Sequence, residues 1–152
     1  MPNGQPPLTL KLGIKSQWVC DLCSRVIESD KDGMLEWDSY FIEDDKIVRE
    51  NFRIVHGRWM QGCSKNRPTD KLADGHLHWY TGSDGLHKSL EMLKRPNLNI
   101  DEFLEITKRL HVDYYEEARQ LFDIARENAD FDYEEEHVPE EELIRLIRKY
   151  GN

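Results

Sequence analysis

Cysteine is scarce, with three residues in a chain of 152, and the odd count argues against a disulfide framework. Long apolar runs are absent as well, so no segment reads as a membrane span. The opening MPNGQPPLTLKLGIK lacks a basic stretch followed by an apolar one. The expectation is a protein without a secretory leader, in the reducing cytoplasm. Also missing are G-x-S-x-G, a Gly-rich phosphate loop, G-x-G-x-x-G and H-E-x-x-H, the usual marks of hydrolases, nucleotide binders and metalloproteases. The H-x-E…P-C-x-x-C order of the nucleobase deaminases is not there either.

What is present suffices for a modest core. Apolar residues make up 38% of the chain, enough for one domain or two small ones packed together, with room for an extra staple. The net charge of -9 is unevenly placed: residues 1 to 71 hold eleven basic and eleven acidic residues, and residues 72 to 152 hold ten and nineteen. Long-range repulsion from phosphate backbones follows for the second half, although a local basic patch can override it.

The first half reads as strands. LTLKLGI (8–14) alternates apolar and polar residues, as a half-buried strand does. A turn at Asp32-Gly33 leads into Met34, Leu35, Trp37, Tyr40 and Phe41, and after the acidic turn 43–45 a long strand, KIVRENFRIVH (46–56), completes a hairpin. The stretch from Gly57 to Gly82, rich in Gly, Pro, Asp and Asn, reads as a long irregular connection that needs something to tie it down.

The second half reads as four helices. Ser83 is the expected cap of the first, which must stop before Pro96. Asn99 with Glu102, and Asp113 with Glu116, form capping-box patterns ahead of two apolar stripes. Pro139 and Glu140 to Glu142 open the last helix, whose inner face is Leu143, Ile144, Ile147 and Tyr150, and Gly151 stops it. Together these give an α+β fold: a β-hairpin module with a long loop over 1–82, then an acidic bundle of four short helices over 83–152.

The chemistry concentrates in QWVCDLC. A C-x2-C turn between strands supplies two ligands for a tetrahedral zinc ion, and the other two must come from further along. His56 and Cys63 are placed to do so, giving C-x2-C-x32-H-x6-C with the hairpin filling the long gap. His76 and His78 are the reserve ligands, on one face of an extended segment. Three readings compete with a structural zinc: buried cysteines that simply pack, a redox pair, and a catalytic metal with an open position. A metal holding Cys20, Cys23, His56 and Cys63 would pin the hairpin and the start of the long loop, so chelation is expected to loosen the N-terminal half first.

Trp18, Cys20, Asp21 and Cys23, then Asp32, Gly33, Leu35, Glu36 and Trp37, then Phe52, Ile54, Val55, His56 and Cys63, follow W-x-C-D-x-C, D-G-x-L-E-W and F-x-I-V-H with a later Cys. Over about the first 65 residues this resembles the zinc-ribbon or treble-clef-like start of small uncharacterised bacterial proteins. The resemblance implies metal binding and no activity.

Two further sites are legible. Arg49, Arg53, Arg58, Lys65, Arg67 and Lys71, with Trp59 and Trp79 near by, would make a phosphate-and-stacking surface for nucleic acid, if the basic residues are not merely solvated and the tryptophans not packed inward. His76, His78 and His87 beside Asp74 and Asp84 would make an HNH-like hydrolase or nuclease site, though the asparagine expected between the histidines is missing. The favoured reading is a non-enzymatic, zinc-stabilised adaptor that meets a protein partner through its acidic helical face.

Overall fold

The computed structural model describes residues 4–63, 71–133 and 137–151. Two short antiparallel strands, β1 (Trp18–Val19) and β2 (Val26–Ile27), flank the cysteine turn, with Trp18 opposite Ile27. A second antiparallel sheet has the order β4-β3-β5, built from β3 (Gly33–Ile42), β4 (Lys46–His56) and β5 (Leu72–His76). The expected hairpin is therefore present. The region expected to be an irregular connection contributes the third strand, followed by a 3₁₀ turn over Leu77–Trp79.

That strand was hidden because its middle, Asp74-Gly75, carries turn-forming residues. Packing explains the glycine: a Cβ at Gly75 would stand 3.1 Å from the Tyr80 ring. LTLKLGI, in contrast, joins neither sheet. Its backbone amides find a carboxylate instead, the Leu12 N–H donating to Glu117 Oε1 at 2.7 Å and the Lys11 N–H to the same oxygen. Alternation predicted a strand, but the chain bends at Lys11 and Leu12 and turns from Ile14, and a side chain takes two of its amides.

Among the described residues five helices follow where four were expected: α1 (Gly82–Met92), α2 (Ile100–His111), α3 (Tyr115–Arg119), α4 (Phe122–Glu127) and α5 (Glu140–Tyr150). Thr81, not Ser83, occupies the N-cap position of α1. Asn99 caps α2 as expected, accepting from the Glu102 N–H at 3.2 Å, but the Glu102 carboxylate reaches across to the Asn51 N–H at 2.9 Å. Asn51 and Phe52 stand opposite the single residue Trp37 in the β3/β4 register, and Asn51 has φ +58, so the bulge frees the amide that Glu102 takes. The second capping box does not form, because Tyr114 sits at φ +69 before α3 and Glu116 turns inward to Arg109.

The split between α3 and α4 follows from two destinations. Tyr115 and Ala118 pack with Leu143 and Ile147, whereas Ala125 packs with Phe131 and Leu146. A straight helix would aim both sets at one face. Pro139 is the N-cap of α5 rather than its first residue, and the buried face of α5 is Leu143, Leu146 and Ile147.

The largest apolar cluster joins Trp18, Ile27, Leu35, Ile54 and Leu77 to Met92, Phe103, Ile106 and Leu110. It thus spans the boundary expected at residues 82 and 83. Among the described residues no helix is long and apolar enough to cross a membrane.

Candidate metal centre

The knuckle is built by backbone. The Cys20 N–H donates to the Arg25 carbonyl at 2.9 Å and the Ser24 N–H to the Cys20 carbonyl at 2.9 Å, closing a turn in which Ser24 has φ +62. The Asp21 N–H bonds the Ile54 carbonyl and the Asp21 carboxylate accepts the Ile54 N–H, each at 2.8 Å, which docks the knuckle on the last residues of β4. His56 ends that strand. Cys63 follows seven residues later, its loop held by Arg25, whose guanidinium donates to the Gly62 carbonyl. Gly62 has φ +85, which suits glycine, and a Cβ there would stand 2.8 Å from the Arg25 guanidinium.

The ligand atoms of Cys20, Cys23, His56 and Cys63 all lie within 4.8 Å of one another. No other such group of three or more His, Cys, Asp or Glu ligands occurs among the described residues. The Cys20 and Cys63 sulfurs are 3.7 Å apart, and Cys23 Sγ is 3.3 Å from His56 Nδ1. Two thiolates on one tetrahedral zinc, each bonded at about 2.3 Å, would stand about 3.8 Å apart, whereas a disulfide needs about 2.05 Å. All three cysteines are free. These spacings suit four ligands around one ion.

The surroundings suit it too. His56 Nε2 lies 3.2 Å from the Val26 carbonyl, so the proton belongs on Nε2 and the Nδ1 lone pair faces the sulfurs. The His56 backbone N–H points at Cys20 Sγ at 3.4 Å, a donor that favours a thiolate there. Burial pushes the Cys23 thiol up, but the Arg25 backbone and side-chain donors, with the Cys20 and Cys63 sulfurs, outweigh it and lower it to about 6. Cys63 goes the other way: burial first, then Cys20 and Cys23, push it up to about 11. One cysteine is ready as thiolate and another resists ionising until a cation arrives.

Sequence reasoning did not find the residue that ties this centre to the helices. Arg109, from the last turn of α2, is 3% exposed. It makes a two-bond fork to Glu116 at 2.7 and 2.9 Å, and donates to Asp21 at 2.7 Å and to the Val19 carbonyl at 3.0 Å. The Trp18 indole N–H donates to the Arg109 carbonyl at 3.1 Å. Burial alone would lower the guanidinium's proton affinity, but Glu116 and then Asp21 more than reverse that and hold it charged. A basic residue in a final helical turn is ordinarily a solvent-facing partner of the helix dipole, so no sequence signal marked it.

The other predicted residues lie elsewhere. His76 and His78 stand 5.3 Å apart by ring centres, but His76 also packs on Trp59 at 5.3 Å and Trp79 at 4.8 Å, an aromatic cluster away from the sulfurs. His87 is exposed, 3.9 Å from Glu91. The basic set disperses: Arg53 pairs with Glu36 and Asp38 at 3.3 and 3.4 Å, and Arg58 lies 3.9 Å from Glu36. Arg49 donates to the Pro96 carbonyl, and Lys71 sits over the Tyr40 ring. Trp59 and Trp79 are half exposed, and Lys88 covers the Trp79 ring at 4.9 Å. Lys65 and Arg67 lie outside the described residues, as do Glu134 to Glu136 of the acidic face. Glu142, in the second acidic run, pairs with Arg145 at 2.6 Å.

Compared with family models, curated proteins and solved structures, the chain matches none of them.

Proposed function

We propose that Cys20, Cys23, His56 and Cys63 hold one structural zinc ion, and that the protein is a small zinc-stabilised adaptor of zinc-ribbon type that works in the cytoplasm by binding a protein partner. The observation that carries the metal reading is the closed ligand set: four protein ligands within 4.8 Å, with the second nitrogen of His56 already bonded to Val26. Such a set fills a tetrahedron and leaves no position for water or substrate, which favours a structural over a catalytic ion. Three thiolates and one imidazole select zinc over magnesium or calcium, which prefer oxygen.

Elemental analysis of protein purified without chelator or added metal tests this. One zinc per chain, lost in each of Cys20→Ser, Cys23→Ser, His56→Ala and Cys63→Ser, is the expected result. Absence of metal from the wild-type protein would return the cysteines to packing or redox roles.

A second reading, a nucleic-acid surface, is favoured by the half-exposed Trp59 and Trp79 beside Lys88. The carboxylates that occupy Arg53 and Arg58 weaken it. Salt-dependent quenching of tryptophan fluorescence by a short single-stranded oligonucleotide, lost in Trp79→Ala, would establish it in place of the protein partner.

A further inference from the structure

The β3/β4 ribbon is longer than the sheet that supports it. β5 pairs with β3 only from Met34 to Asp38, with one more bond from the Ser39 N–H to the Lys71 carbonyl, and the chain before α2 touches β4 only at Arg49. Among the described residues, no third strand pairs with the ribbon between Tyr40 and Val48. A two-stranded ribbon is marginal in water unless something packs on it. This one is apolar on both faces, because Tyr40 pairs with Val48 on one side and Phe41 with Ile47 on the other. Phe41 is 70% exposed and Ile42 45%, and Phe41 is the most exposed of the large apolar residues.

The turn beyond is acidic. Glu43, Asp44 and Asp45 are all exposed, and the two aspartates hold φ +61 and +58 in the turn. Among the described residues no basic side chain pairs with these three. The base of the ribbon is satisfied internally, with Tyr40 donating to Glu50 at 2.6 Å and Lys71 lying over the Tyr40 ring. Apolar exposure and a net negative charge thus coincide at the tip, where exposed Lys46, opposite Ile42, offsets one of the three carboxylates.

We infer that the tip of the β3/β4 hairpin, Phe41 and Ile42 with the carboxylates of Glu43 to Asp45, is the docking element for a basic protein segment that offers an apolar slot rimmed by Lys or Arg. This rests on the reading of the chain as a protein-binding module and names the surface and the kind of partner. Charge selects the occupant. A second copy would bring two acidic turns together, and an anionic lipid or nucleic acid would meet three carboxylates, all repulsive.

Phage-displayed random peptides selected on the immobilised, metal-loaded full-length protein test it, followed by affinity measurements with the recovered peptides. The expected peptides combine aromatic or aliphatic residues with clustered Lys or Arg. They bind at least tenfold more weakly to Phe41→Ser/Ile42→Ser, and more weakly to Glu43→Gln/Asp44→Asn/Asp45→Asn, with a smaller salt dependence in the latter. Unchanged zinc content and thermal transition show that these exposed substitutions leave the fold intact. Peptides that bind wild type and tip variants equally would overturn the tip while leaving protein binding in place. Recovery of no peptide, or of acidic ones, would overturn the inference, as would a wild-type dimer in sedimentation that Phe41→Ser/Ile42→Ser dissolves.

Discussion

At the scale of single residues, the centre sets its cysteines apart by environment. In the metal-free protein Cys23, near 6, is mostly thiolate at pH 7.5, and Cys63, near 11, is mostly thiol. Alkylation at that pH should label Cys23 first, with a rate that is flat above about pH 7 and falls about tenfold per unit below about pH 6. Mass spectrometry of the labelled peptides checks this, and bound zinc should protect every cysteine in the set. The same shifts bear on the stability of the metal-free chain. Cys23 is lowered from an ordinary value near 9, so its contribution is full above about pH 9 and gone once pH falls below about 6. Cys63 is raised, so its contribution is full below about pH 9 and lost as pH rises through about 11.

Arg109 is the other decisive residue. Arg109→Met would leave the Glu116 carboxylate buried without its fork, and loss of one partner of a buried pair costs about 3–5 kcal/mol. Urea denaturation should show a loss of that order, and Arg109→Met/Glu116→Gln should recover part of it. The grouping of the four candidate ligands was legible in the sequence because cysteine is rare and its spacing is constrained. Arg109 was not, because its partners are 88 and seven residues away and only the fold brings them together.

At the scale of elements, local signals worked where the local chain decides. The β3/β4 hairpin, the acidic turn and the Asn99 cap were all readable, since register and capping depend on neighbours in sequence. Asn99→Ala should cost about 1 kcal/mol through loss of its bond to the Glu102 amide, measured by the same denaturation. Signals failed where a distant group completes the element. Residues 8 to 14 have the alternation of a strand, yet Glu117 accepts the Lys11 and Leu12 amides and Gln17 that of Gly13. β5 was obscured by its own glycine, and the α3/α4 break carries no Pro or Gly because it is set by the positions of Leu143 and Phe131.

At the scale of the whole molecule, the shared core revises what removal of the metal should do. Cys20 belongs to the same apolar cluster as Phe103 and Leu110, and the knuckle is bonded to α2 through Asp21 and Arg109. Chelation should therefore raise amide hydrogen exchange in α2 along with β1, β2 and the end of β4. Helix α5, whose apolar contacts lie in separate clusters with Tyr115, Ala118 and Ala125, should keep its protection longest. Exchange that stays confined to residues before the helices would show that the two halves respond separately.

The Arg109 fork also orders events in time. All four candidate ligands have left a synthesising ribosome once residue 63 emerges, whereas the guanidinium that braces their knuckle arrives 46 residues later. The nascent chain can thus present its sulfurs while α2 is still unmade, and if an ion is taken up then, the helix closes over a turn whose shape that ion has set.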